Sequence, residues 1–386
     1  MTKAVNPQTQ TTVANPAASS HEPNSHAPTS ADIWQGRIDA EDSEAGMRFH
    51  QKVKLINNEN PLHEQLTNQA GVVLLGFACD EGVKRNKGRV GAVQAPDVIR
   101  KALANMAWHH DNPAAITTNE STNESTNTST FIDGGNIYCN DTDLARSQQE
   151  LAKHVAAALN KQNKVIVLGG GHEIAWGTFQ GLSRHLQTVD QHLQTANVTK
   201  PKVGIINFDA HFDLRTYSAD DSAFPTSSGT PFNQIAKHCQ QLGWEFNYAC
   251  LGVSRASNTQ ALFTLADELG VHYREDHQLA SYLLAERIAE LTTFIDKVDY
   301  LYLTIDIDVF SACTAPGVSA PAARGISLES VEALLQPIFN ATNSAGQAKL
   351  LVADLAEYNP NFDIDNQTAR LAARLTWDIS RAMFSN

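Results

Sequence analysis

Three stretches of this sequence put metal-competent side chains at the ends of apolar runs. KVIVLGGGHE closes on His172 and Glu173, VGIINFDAHFD on Asp209, His211 and Asp213, and YLTIDIDVF on Asp306 and Asp308. In extended chain, residues i, i+2 and i+4 share a face. Asp209, His211 and Asp213 therefore converge if the chain stays extended past the strand, and Asp306 and Asp308 pair for the same reason. Four carboxylates gathered in a half-buried site repel one another, and two divalent cations would balance them. Two imidazoles and four carboxylates, with no thiolate, form a mostly hard donor set that favours manganese over zinc, two ions per chain. A pair of ions about 3.5–4 Å apart lowers the pKa of a water between them and supplies a nucleophile at neutral pH. One Asp after a strand is most simply a cap or turn residue, and one His a satisfied core or surface residue. The repetition at three strand ends is what argues for chemistry.

The glycines before His172 do not make a phosphate loop, because GGGHE lacks the closing GK[ST]. Nor do they fit G-x-G-x-x-G, since Ile174 stands where the last glycine belongs. They read instead as a close backbone approach beneath His172.

The elements that must position these residues are short apolar runs: 71–77, 164–170, 202–208, 248–253, 300–307 and 349–355. Several lack strict alternation, as strands buried on both faces of a parallel sheet do. Helical patterns separate them, among them 143–162 and 327–342, the second opening on Ser327 with Ser330 where a capping box wants Glu or Gln. Strands alternating with helices predict a doubly wound α/β domain, whose ligands bind beyond the carboxyl ends of the strands.

The 386 residues, 42 % of them hydrophobic, suffice for one large α/β domain. A net charge of −13 argues against a nucleic-acid binder. No apolar run approaches the roughly 20 residues that span a bilayer, and the first twenty residues carry no apolar core of a leader peptide. Five widely spaced cysteines without a CxxC read as thiols in a cytoplasmic protein. Residues 1–30 read as a disordered polar tail, residues 31–386 as the single domain, and 117–130, with NEST twice, as a low-complexity surface loop.

GGGHE, DAHFD and DID, in that order, resemble the motifs of the ureohydrolases, the family of arginases and agmatinases, from about Gly71 to the C-terminus. The segments 80–103, GGGHEIAWG, SSGTPFNQI and SRASNTQALF look most like the formimidoylglutamase branch. The resemblance implies a three-layer αβα fold with a mostly parallel central sheet, two manganese ions and a homo-oligomer. It makes His172 and Asp213 ligands of one ion, and Asp209, His211, Asp306 and Asp308 complete the pair, with some carboxylates bridging. Asp213 and Glu357 are the expected catalytic residues, Glu357 holding the substrate's cationic end. A dianionic amidine such as N-formimidoylglutamate needs local cations, and Arg89 and Arg255, just past apolar runs, are the expected substrate-binding arginines.

Two positions depart from arginases: Gly171 stands for the Asp of GGDH, and Ser228 for a proton-shuttling His. Both weigh against guanidinium cleavage. The rival readings are a guanidino-compound hydrolase releasing urea and a non-catalytic metal-binding protein on the same fold.

Overall fold

The computed structural model describes residues 26–66, 70–109, 130–192, 200–218, 220 and 223–385. Ten strands form one sheet: β1 (His26–Ala27), β2 (Lys54–Leu55), β3 (Gly71–Ala78), β4 (Thr130–Tyr138), β5 (Lys164–Leu168), β6 (Val203–Phe208), β7 (Asn247–Val253), β8 (His272–Glu275), β9 (Tyr300–Asp306) and β10 (Leu350–Ala356). The helices are α1 (Phe49–Lys52), α2 (Leu62–Gln65), α3 (Glu81–Arg85), α4 (Ala95–Ala104), α5 (Leu144–Asn160), α6 (Ile174–His192), α7 (Pro231–Leu242), α8 (Gln260–Glu268), α9 (Leu284–Asp296), α10 (Leu328–Phe339) and α11 (Gln367–Ser385).

The strand order is β1-β4-β3-β5-β10-β9-β6-β7-β8, with β2 against β4. Every pairing is parallel except β1 with β4. Val72 and Leu74 of β3 face one core with α4, α9, α10 and α11, while Val73 and Leu75 face the other with α5, α6, α7 and α8. Burial on both faces explains the continuous apolar runs, and gives the three layers of an αβα fold. All six apolar runs are strands.

The caps follow the sequence. Asp143 accepts from the Arg146 N–H to start α5, and Ser327 accepts from the Ser330 N–H to start α10. The Ser330 hydroxyl goes to the Leu279 carbonyl instead of closing a capping box.

β4 was not expected, because Asp133, Gly134, Gly135 and Asn136 interrupt its apolar pattern. Its polar centre is satisfied by a fully buried arginine: Arg100 donates to Asp133 (3.0 Å) and Asn136 (2.5 Å). The boundary of the expected tail also shifts. Residues 26–30 belong to the fold, with His26–Ala27 pairing antiparallel to Ile137 and Asn136 and covering part of the β4 edge. The rest of that tail lies outside the described residues, as does the 117–130 tract except Thr130, the first residue of β4. Among the described residues no helix is long and apolar enough to cross a membrane.

Candidate metal centre

The adjacent strands β5, β10, β9 and β6 end side by side, and the loops after them carry the site. The loop after β5 approaches β3 without clearance: a Cβ on Gly170 would sit 1.6 Å from the Cys79 carbonyl oxygen. That approach presents His172, fully buried, to the carboxylates.

His172 Nε2 stands 3.0 Å from the Thr304 hydroxyl. The Asp354 carboxylate, also buried, accepts from the Tyr302 hydroxyl at 2.6 Å. An imidazole that donates from Nε2 to the Thr304 hydroxyl turns the lone pair of Nδ1 toward the carboxylates.

Nδ1 lies 3.1 Å from Asp209 Oδ2, 3.0 Å from Asp213 Oδ2 and 3.1 Å from Asp306 Oδ2, yet makes no hydrogen bond. His211 Nδ1 stands 3.1 Å from Asp308 Oδ2 and 3.6 Å from Asp209 Oδ1. The donors thus form two groups, His172–Asp209–Asp213–Asp306 and Asp209–His211–Asp308, the potential ligand atoms of each within 4.8 Å of one another. Asp209 belongs to both.

The convergence differs from the extended geometry expected. β6 stops at Phe208, and Asp209–Asp213 turn. Asp209 Oδ1 accepts from the His211 N–H at 2.6 Å, Asn258 Oδ1 from the Phe212 N–H at 3.1 Å, and Asp213 is left-handed with φ 48°. Asp306 likewise caps a 3-10 turn by accepting from the Asp308 N–H at 2.8 Å. The turns, not strand alternation, send Asp213 and Asp306 to one group and His211 and Asp308 to the other, with Asp209 reaching both.

The electrostatics fit divalent cations. Burial, together with Asp308 and Asp209, pushes the Asp306 carboxyl well above its usual range. Burial and Asp209 raise Asp213 to about 6. Burial opposes charge on both imidazoles, but the facing carboxylates outweigh it and raise them well above the ordinary histidine value. Clustered negative charge of this kind is what divalent cations balance, and the oxygen-rich, thiolate-free donor set suits manganese.

Asp213, Asp306, Asp308, His211 and Glu357 line a cavity of about 310 Å³. Glu357, left-handed with φ 64°, accepts from the His172 N–H at 3.0 Å, and its own N–H donates to the Gly170 carbonyl at 2.8 Å. Burial, with Glu173 next, raises its carboxyl well above the usual range. Such backbone angles cost non-glycine residues about 1–3 kcal/mol and cluster at functional sites. Ser228 also lines the cavity and pairs with Asn86 Nδ2 at 3.3 Å.

The two expected arginines behave differently from each other. Arg89 lines the cavity, but its guanidinium donates to the Ser319 and Val318 carbonyls and stacks on Phe362. Arg255 does not line it: the side chain is 62 % exposed and grips the Glu275 carboxylate from β8. The cavity wall carries two cations the sequence reading missed, Lys87 and Arg215, whose side chains have no partner among the described residues. Arg215 stands two residues past Asp213, in the i, i+2 spacing already singled out, which was the signal available for it.

The model of the arginase family matches residues 70–381. The chain is 53 % identical to a formimidoylglutamase of Photobacterium profundum, covering 91 % of this chain and 94 % of that protein. It is 52 % identical to one of Vibrio cholerae, covering 92 % and 96 %. Among solved structures it is similar to a Trypanosoma cruzi formiminoglutamase with Mn2+2, at TM-score 0.63, 21 % identity, and 82 % and 94 % coverage. A Bacillus subtilis formimidoylglutamase aligns at TM-score 0.62, 22 % identity, and 90 % and 98 % coverage. A parallel sheet whose strand ends gather six His and Asp donors, in a sequence matched by the family over most of its length, leads to one conclusion: the chain belongs to the arginase family.

Proposed function

We propose that the chain is a di-manganese hydrolase that cleaves N-formimidoyl-L-glutamate to L-glutamate and formamide, a cytoplasmic step of histidine degradation. Likeness to formimidoylglutamases over nine tenths of the chain supports the reading. The observation that carries it is the charge of the cavity: acidic donors and, in its wall, Lys87 and Arg215, whose side chains have no partner among the described residues. The substrate has the matching charge, two carboxylates and one amidinium.

His172, Asp209, Asp213 and Asp306 would hold one manganese ion, and Asp209, His211 and Asp308 the other. When bound, the ions supply an activated water and polarisation of the carbon under attack. Lys87 and Arg215 take the substrate carboxylates, Arg215 with the fork that suits them. Glu357 faces the amidinium. Asp213, which lines the cavity, accepts the proton of the attacking water and returns it to the glutamate nitrogen as the C–N bond breaks. One water is consumed, its oxygen ending in formamide. Ser228, where arginases carry histidine, has no ring nitrogen for the shuttle, which leaves that task to Asp213.

The test is metal analysis of the purified chain with product analysis on formimidoylglutamate. Two manganese ions and formamide support the reading. Urea released from arginine or agmatine in preference would overturn it. A homo-oligomer, which the family resemblance implies, is measured by light scattering in the same preparation.

A further inference from the structure

Glu173 follows a proposed metal ligand, is fully buried, and takes no part in either donor group. Its Oε1 accepts from the Gly82 N–H at 2.8 Å, and the Cys79 thiol lies 3.6 Å away. Its carbonyl accepts from Gln148 Nε2 at 2.7 Å. Its Oε2 fills the space a side chain at 171 would need: a Cβ on Gly171 would stand 2.0 Å from Oε2 and 2.4 Å from Val83 Cγ2. A Cβ on Gly82 would stand 2.4 Å from the Glu173 carboxyl carbon. The carboxylate is thus wedged between two glycines, one in the ligand loop and one at the start of α3. From α3 the chain runs directly into Asn86, Lys87 and Arg89 on the cavity wall.

We propose that Glu173 is a positioning residue: its buried carboxylate fastens α3 to the ligand loop, and so sets where Asn86 and Lys87 stand over the metal centre. This rests on the function proposed above. Gly171 and Glu173 are one adaptation, since the carboxylate at 173 excludes any side chain at 171, the position where arginases carry Asp. Glu173 acts on substrate through Lys87 and leaves the ions to the six donors.

The experiment uses the full chain loaded with manganese and measures bound metal, kcat and KM for formimidoylglutamate. Loss of one buried hydrogen bond predicts that Glu173→Ala raises KM about tenfold or more, with kcat and metal content near wild type. Glu173→Gln keeps an acceptor for the Gly82 N–H and returns KM to within about threefold. Lys87→Ala raises KM in the wild type and adds little further in the Glu173→Ala background, because the two act in series. Should Glu173→Ala fail to fold, Glu173→Asp, one methylene short of Gly82, carries the same expectations. An unchanged KM in Glu173→Ala overturns the proposal, as do metal loss at unchanged KM and full additivity with Lys87→Ala. Absence of formimidoylglutamate hydrolysis by the wild type instead sinks the function, and that outcome is read before any variant is made.

Discussion

The backbone N–H of His172 donates to Oε1 of Glu357 across 3.0 Å and 185 positions of sequence. One carboxylate thus braces the ligand loop and faces the cavity. Glu357→Gln keeps the brace and removes the charge. The variant should retain its metal and lose roughly 30-fold or more in kcat/KM, the consequence of about 2–5 kcal/mol for a buried charged contact. Glu357→Ala should lose metal as well. Metal titration beside kinetics separates the two, and equal metal affinity in both variants would count against the brace.

Asp209 lies in both donor groups, His211 in one. Chelation should abolish activity and manganese restore it. Asp209→Ala should lose both ions, whereas His211→Ala should keep one. Elemental analysis decides, and full activity in metal-free protein refutes the mechanism.

Thr304→Val removes the hydroxyl that meets His172 Nε2 behind the proposed metal ligand. Loss of a hydrogen bond behind a metal ligand typically costs about 10–100-fold in metal affinity. A competitive chelator titration reads this directly, and a wild-type affinity would mean that Nδ1 is presented without Thr304.

Arg215→Ala should raise KM for formimidoylglutamate about tenfold or more without metal loss. Arg255→Ala removes an exposed partner of Glu275 outside the cavity, and should leave kcat/KM within about twofold. The reverse order of effects would return Arg255 to the substrate.

The His26 ring lies 4.1 Å from that of His154, tilted by 33°, and contacts the Gly134 carbonyl. Burial first, then His154, lowers its pKa to about 4, with Glu150 opposing and Lys153 adding to the fall. Below pH 6.5 the unfolded chain takes up a proton that the folded chain refuses until about pH 4. Acidification through this window therefore favours unfolding, by up to about 3 kcal/mol, and above it both states are neutral. Thermal unfolding between pH 7.5 and 5 should fall less steeply in His26→Ala than in wild type. Parallel curves would show that charging His26 costs nothing.

The sheet was legible because burial on both faces leaves strands apolar throughout, and the six donors because three strand ends repeat the same chemistry. β4 was not, since its Asp133 and Asn136 are satisfied by partners the fold brings from elsewhere, Arg100 for both, Trp34 for Asp133 and Asp97 for Asn136. The DAHFD spacing named residues that the fold does bring together, but by another geometry: alternation assumes a strand, whereas the Asp209 carboxylate accepts from the His211 N–H where the strand has ended. Arg255 and Arg215 look alike in sequence. Glu275, on a short mixed strand, occupies the first, while no side chain among the described residues occupies the second. An unpartnered cation is a property of the folded neighbourhood and leaves no mark in the local sequence.

The order of the strands in the sheet also governs when the site can exist. β5, β10, β9 and β6 are neighbours in space but far apart in the order of synthesis. On a ribosome making about 5–20 residues per second, His172 waits roughly 10–40 s for Glu357 to be added. Asp306 and Asp308 come only shortly before. No nascent fragment ending before β9 holds either complete donor group, and β5 and β9 are joined in the sheet only once β10 lies between them, so the site is a late product of synthesis.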